Sequence, residues 1–208
     1  MFVTFEGPEG SGKSTQIRLL FRALREAGYD VLLAREPGGT SIGDQIRDVL
    51  HDARNTEMHP AAEILLYSAS RAQLVAQVIR PALAEGRIVL CDRFADSTMA
   101  YQGYGRGLDL GMLRQITEFA TGGLIPNLTL LLDVDVEAGL ARRRRGGDEW
   151  NRMDQQAIEF YERTRQGYLA LAAAEPHRYI YIDGGGPVEA VATAIWDAVL
   201  PVLSSRHG

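Results

Sequence analysis

The chain has 208 residues, 46% hydrophobic and 24% charged, with a formal net charge of −5 and a sequence pI of about 5.4. That composition suits one α/β domain with a full core. It excludes a nucleic-acid surface spread over the whole molecule, though not a local cationic pocket, and without an apolar run of about 18 residues it excludes a membrane span.

In chain order, Met1–Phe5 reads as a short buried strand, and residues 16–24 carry helical apolar spacing. Gly28 ends that turn, Tyr29–Arg35 reads as a second strand, and a loop at 36–40 leads to a helix reaching about Asp52. A long helical stretch runs from about Pro60 to Ala84, and Gly86–Asp92 is a nearly all-apolar third strand, as expected of a strand covered on both faces. Helical segments fill about 97–104 and 110–120, and Leu128–Val134 is a fourth strand. A helix from Val136 meets an arginine-rich break, and an amphipathic helix covers about 155–173. Arg178–Asp183 is a fifth strand, and a last helix spans 188–200. Strands alternating with helices predict a five-stranded parallel sheet flanked by helices on both faces, with ligands at the carboxyl ends of the strands. The N-terminus enters its first strand at once, leaving no room for a signal peptide, and the single Cys91 fits a reducing compartment. The expected location is the cytoplasm.

Among 22 basic side chains there is one lysine, Lys13. It stands in Gly7-Pro8-Glu9-Gly10-Ser11-Gly12-Lys13-Ser14-Thr15, which satisfies the phosphate-cradling pattern G-x-x-x-x-G-K-[ST]. The glycines let successive backbone N–H groups wrap phosphate oxygens. The lysine reaches the β/γ-phosphates as a compact charge, and Ser14 is the expected Mg²⁺ ligand. Strand, glycine loop and helix form the required setting. Asp92, at the end of the third strand, fits the carboxylate that reaches Mg²⁺ directly or through water, whereas Asp133 and Asp135 read as loop charges.

The string N-K-x-D of guanine-reading switches is absent. Tyr67 and Arg71 stand four apart on one helical face, where they fit either a nucleobase sandwich or a core tyrosine beside a surface arginine. Asp92-Arg93-Phe94 with Ser97, Thr98, Tyr101 and Gln102 offers a cation, two hydroxyls, a phenol and an amide just beyond a strand end.

These strings, with Arg35-Glu36-Pro37-Gly38-Gly39-Thr40 and Leu66-Tyr67-Ser68-Ala69-Ser70-Arg71, resemble those of the thymidylate kinase family over nearly the whole chain. The resemblance implies a P-loop fold of the nucleoside monophosphate kinase kind, one domain over 1–208, with ATP, Mg²⁺ and dTMP bound and a homodimer formed. It implies that Tyr67 stacks on thymine, where many members carry Phe, and that Arg71 bonds the base edge. Arg93 then holds the dTMP phosphate near the incoming phosphoryl group, with Arg35 a second phosphate-side residue and Pro37 following a cis peptide. Ser97 faces the substrate, Thr98 and Gln102 contact the base, Tyr101 crowds the sugar's 2′ side, and Glu9 approaches the 3′-hydroxyl. Some members place a catalytic arginine where this chain has Gly10. Without one, the cation is expected from a LID at about 142–154, interrupted by Gly146-Gly147, with Arg152 the residue matched to the transferred phosphate. Arg142 to Arg145 read either as part of that LID or as a solvated basic helix end.

Overall fold

β-Branched, aromatic and leucine residues fill five short runs of the chain, and each becomes a strand of one sheet. The structure is a computed structural model and describes residues 1–146 and 151–204. Gly147 and the part of the expected LID up to Trp150 lie outside the described residues.

β1 (Phe2–Glu6) runs through the glycine loop into α1 (Lys13–Glu26), and β2 (Val31–Arg35) leads to α2 (Ser41–His51). Thr40 caps α2 by accepting a hydrogen bond from the Gly43 N–H at 2.9 Å. α3 (Pro60–Leu74) opens on a proline, passes into a π-helical stretch at Val75–Ile79 and ends as α4 (Arg80–Ala84). β3 (Ile88–Asp92) is followed by the short α5 (Ala95–Thr98), a second π-helical stretch at Met99–Gly105, and α6 (Leu110–Thr121). β4 (Leu128–Asp133) precedes α7 (Val136–Arg145), a 3₁₀ turn at Arg152–Gln155 and α8 (Ile158–Ala174), and β5 (Tyr179–Asp183) precedes α9 (Val188–Ser204).

The sheet is parallel throughout, in the order β2-β3-β1-β4-β5. β1 lies at its centre, and the register pairs Phe5 with Asp92, Arg35 with Asp92 and Glu6 with Leu131. This aligns the ends of β1, β2 and β3 at one carboxyl edge, where the P-loop begins. Val3, Phe5, Leu90 and Leu130 face Ile17, Leu20 and Leu24 of α1 and Ile195 and Val199 of α9. On the other face, Phe2, Val89 and Cys91 meet Leu74, Ile79 and Phe94, while Leu131 meets Tyr168 and Leu171 of α8. Full burial of one such leucine or phenylalanine is worth about 1.5–3 kcal/mol. Among the described residues no helix is long and apolar enough to cross a membrane.

Local geometry departs from the sequence pattern at three places. The stretch expected as one helix over 60–84 widens at Val75–Ile79, where the Arg80 N–H reaches back to the Val75 carbonyl. Pro81, next in line, has no N–H to continue the ordinary ladder. The segment expected as a helix at 97–104 is mostly π-helical, with the Arg106 N–H bonded to the Tyr101 carbonyl at 3.0 Å. Its wide turn keeps Met99, Ala100, Tyr101 and Gln102 all buried. α9 continues beyond residue 200 despite Pro201, because Leu203 is buried with Val199 in the core.

Candidate active site

The carboxyl edge of the sheet opens into a cleft of about 1630 Å³, more than a single drug-sized ligand needs. One end is the P-loop. Lys13, buried at the start of α1, donates from Nζ to the Gly7 carbonyl at 2.9 Å, the Pro8 carbonyl at 2.7 Å and Ser11 Oγ at 3.2 Å. Burial and the neighbouring Arg93 lower its pKa to about 8, against the pull of Glu9, Asp92 and Glu6. Ser14 Oγ donates to Asp92 Oδ2 at 2.7 Å, joining the first turn of α1 to the end of β3. A hydroxyl and a carboxylate beside phosphate-binding amides are hard oxygen donors of the kind Mg²⁺ takes, and Mg²⁺ completes its shell with water and substrate phosphate.

Arg93 links the P-loop to the rest of the cleft. Its φ of 67° lies in the left-handed region, uncommon for a residue with a side chain. Nη1 donates to the Gly7 carbonyl at 3.2 Å, Ser97 Oγ at 3.4 Å and Tyr168 Oη at 3.1 Å. Nη2 donates to Glu9 Oε1 at 2.8 Å, and the guanidinium lies 4.9 Å from the centre of the Tyr101 ring. Tyr101 Oη donates to the same Glu9 oxygen at 2.9 Å. Burial alone would raise the Glu9 carboxyl, but the charges of Arg93 and Lys13 and the Tyr101 hydrogen bond outweigh it and bring it down to about 2. Behind this layer, Glu6 accepts from the Phe94 N–H at 2.7 Å, Ser97 Oγ at 2.6 Å and Tyr168 Oη at 2.9 Å. Burial, then the charge of Asp96, pushes Glu6 up to about 7.

The other end is built on α3. Glu63, Tyr67 and Arg71 recur at intervals of four and share a face. Of the two readings open for Tyr67 and Arg71, a surface arginine is ruled out, because Arg71 is 1% exposed. Its Nε donates to Glu36 Oε2 at 2.8 Å, and Nη2 donates to the Phe94 carbonyl at 3.1 Å and Thr98 Oγ1 at 3.0 Å. Arg71 Nη1 and Glu36 Oε1 are buried with no hydrogen-bond partner among the described residues. Polar atoms in that state at a cleft wall are ready to meet a ligand. Tyr67, half-buried, lines the cleft with Thr98 and Gln102.

The Glu36–Pro37 peptide is cis. Its loop is held by Arg47 Nη1 donating to the Pro37 carbonyl at 2.9 Å and by the Gly38 N–H donating to Ser70 Oγ at 2.9 Å. Arg35 is exposed and pairs with Asp44 at 3.2 Å. His51, at the end of α2, also lines the cleft, and burial followed by the charge of Arg47 lowers its pKa to about 4.

The arginine-rich segment divides differently from the sequence expectation. Arg142 donates from Nη1 to the Gly184 carbonyl at 2.7 Å and from Nη2 to the Gly185 carbonyl at 2.8 Å. Arg143 donates to Asp154 at 3.2 and 3.1 Å, and its charge is among those lowering Glu9. Both line the cleft, so neither is simply part of a solvated helix end. Arg152, expected at the transferred phosphate, does not line the cleft. It is 5% exposed, with Nε donating to the Leu50 carbonyl at 2.9 Å and Nη2 pairing with Glu63 Oε2 at 2.6 Å. A buried carboxylate holds this guanidinium more firmly than a solvated loop would. Asp133 is bound by Arg165 at 2.8 Å, and Asp135 caps α7 through the Ala138 N–H at 3.2 Å, in keeping with structural roles.

Sequence reasoning missed Glu6, Glu63, Arg47, His51 and Tyr168. Glu63 had a readable signal, its place four residues before Tyr67. Tyr168 had none, since it arrives from α8.

A family model for thymidylate kinase matches residues 5–195. The chain is 54% identical to a thymidylate kinase of Roseiflexus sp. over 216 aligned positions, covering 99% of this chain and 96% of that protein. It is 53% identical to one of Deinococcus radiodurans, with 96% of each chain covered. The crystal structure of thymidylate kinase from Ehrlichia chaffeensis superposes with a TM-score of 0.79 at 33% identity, over 96% of this chain and 98% of that one.

Proposed function

The chain belongs to the thymidylate kinase family, and on that premise we propose that its cleft transfers the γ-phosphoryl group of Mg·ATP to dTMP, giving ADP and dTDP, through the residues assembled above. The acceptor phosphate is already an anion, so the reaction asks the protein for no general base. It asks for alignment of donor and acceptor, exclusion of water, and neutralisation of charge building on the transferred group.

The Arg93 guanidinium carries this reading. It touches the P-loop at Gly7 and Glu9 and the acceptor-side residues Ser97 and Tyr101 at once, which suits a cation shared by both substrates. Lys13 is bonded to neutral oxygens, which phosphate oxygens of ATP can replace. Ser14 and Asp92 would hold Mg²⁺, which supplies Lewis-acid neutralisation of the phosphates when bound. Tyr67 provides a stacking face for the base, the unpartnered Arg71 Nη1 a donor for its carbonyl edge, and Thr98 and Gln102 further polar contacts. Tyr101 packs at the sugar, Glu9 orients it through the pair with Arg93, and Arg35 and the Pro37 loop close the phosphate side. For the LID cation the geometry favours Arg143 over Arg152.

We further propose a homodimer in the cytoplasm. Leu65 on α3 and Met112 and Phe119 on α6 are exposed on helices that pack beside each other, and the last is 91% exposed. The lone, buried Cys91 suits a reducing compartment. Incubation with Mg·ATP and a panel of nucleoside monophosphates tests the activity. dTDP and ADP in equal amounts from dTMP are expected, and the reading fails if dTMP yields none or is no better an acceptor than dCMP or UMP.

A further inference from the structure

Glu63 is a fully buried carboxylate that the phosphoryl-transfer chemistry does not use. Its Oε1 accepts from Arg106 Nε at 2.7 Å and Gln102 Nε2 at 2.9 Å, and its Oε2 from Arg106 Nη2 at 2.8 Å and Arg152 Nη2 at 2.6 Å. Burial by itself would raise its pKa. The hydrogen bonds of Arg106 and Gln102 and the charges of both arginines reverse that, so the group is lowered and stays ionised. An ionised carboxylate only accepts. The Gln102 amide must therefore turn its N–H toward Glu63, which leaves its Oε1 as the end free of any partner among the described residues. Gln102 is 2% exposed and lines the cleft beside Thr98 and Tyr101, on the side proposed for the base, and Oε1 is the end of its amide left for a ligand.

We propose that Glu63 is a positioning residue that sets base choice: by fixing the polarity of the Gln102 amide it admits a pyrimidine with an N3–H donor and rejects one with an N3 acceptor. Thymine has the donor and cytosine the bare acceptor, which would face Oε1 lone pair to lone pair. A buried polar site rejects a mismatched partner far more strongly than an apolar pocket does, because its own groups are left unpaired. Arg106 and Arg152 then serve the same end from two other segments, by keeping Glu63 charged. The inference rests on the dTMP reading above and on Gln102 facing the base.

The test is the ratio of kcat/KM for dTMP to that for dCMP in four proteins: wild type, Glu63→Gln, Gln102→Leu and the double variant. In Glu63→Gln the new amide offers either end to Gln102, so the ratio should fall by about tenfold or more, with KM for ATP within about twofold of wild type. Gln102→Leu should lower the ratio as well, and adding Glu63→Gln to it should change the ratio no further. A purely structural role would lower the melting temperature and leave the ratio alone, and that result overturns the inference. If Gln102→Leu keeps the wild-type ratio, Gln102 does not read the base and the inference falls with that assignment. If Gln102→Leu collapses the ratio while Glu63→Gln does not, the inference falls alone and the dTMP reading stands. Should Glu63→Gln fail to fold because two guanidiniums lose their counter-charge, Glu63→Gln with Arg152→Gln removes one of them and is read the same way.

Discussion

Removing a single oxygen at Tyr168 probes how Arg93 is held. The hydroxyl lies 2.9 Å from Glu6 Oε2, 2.8 Å from Ser97 Oγ and 3.1 Å from Arg93 Nη1, and the residue is fully buried. In Tyr168→Phe the ring stays and no cavity opens. Glu6 keeps its bonds from Phe94 and Ser97, so no acceptor is orphaned. What goes is a hydrogen bond donated to Glu6 and one accepted from Arg93, each worth about 1.5–3 kcal/mol. Part of that appears as lost stability. The rest appears at Arg93, which loses one of four acceptors while its backbone sits at a φ that only its contacts maintain. We expect kcat to fall about tenfold, equivalent to about 1.4 kcal/mol, with KM for ATP unchanged. Coupled ADP release over both substrates, beside thermal unfolding, measures it. A variant that melts lower but keeps wild-type kcat and KM for dTMP refutes the positioning argument. A rise in KM for ATP matching the fall in kcat would place the damage in the P-loop instead.

Lys13→Ala should fold and lose turnover on the order of a thousandfold, since its charge acts mainly on the transition state, and near-normal turnover would refute the P-loop assignment. The same lysine has a pH signature. With a folded pKa of about 8 against 10.5 unfolded, the folded state sheds a proton between those values that the unfolded state keeps, so this group makes stability rise with pH across that window. Phosphate binding restores the charge, and ATP binding at pH 8 should take up about half a proton, seen by calorimetry in buffers of different ionisation enthalpy and absent in Lys13→Met. Tyr67→Ala should weaken dTMP binding by about 1–3 kcal/mol and spare ATP, whereas equal loss of both would mark a core role. Arg143→Ala should lower single-turnover kcat about a hundredfold or more, and Arg152→Ala far less, with the opposite order returning the catalytic role to Arg152.

The parts legible in the sequence are those whose chemistry is local to the backbone. The nine residues from Gly7 to Thr15 carry their own loop geometry, and the apolar run ending in Asp92 places its carboxylate at a strand end whatever surrounds it. The helical period put Tyr67 and Arg71 on one face but left open whether the arginine lies at the surface, and only the resemblance supplied their expected roles at the base. Contacts across the fold were not legible. Tyr168 meets Glu6 over 162 residues of chain, through the packing of α8 on the π-helical segment. The family resemblance matches Arg152 to the transferred phosphate, but in the fold its guanidinium pairs with buried Glu63, 89 residues earlier by number, and with the Leu50 carbonyl. A guanidinium goes where a desolvated carboxylate awaits it, and that carboxylate is visible only once α3 is folded.

The absence of an arginine in the P-loop follows from the same packing. Gly10 has a φ of 68°, and a Cβ there would strike the carbonyl of Gly139 on α7, while a Cβ on Gly139 would strike the carbonyl of Glu9. Two glycines thus let α7 lie directly against the loop. That approach brings Arg142 and Arg143, one turn further along α7, to the cleft wall. A side chain at position 10 would push the helix away and take its arginines with it. The close Gly10–Gly139 contact and the place of Arg142 and Arg143 at the cleft wall are therefore two consequences of one arrangement, the seating of α7 directly on the loop.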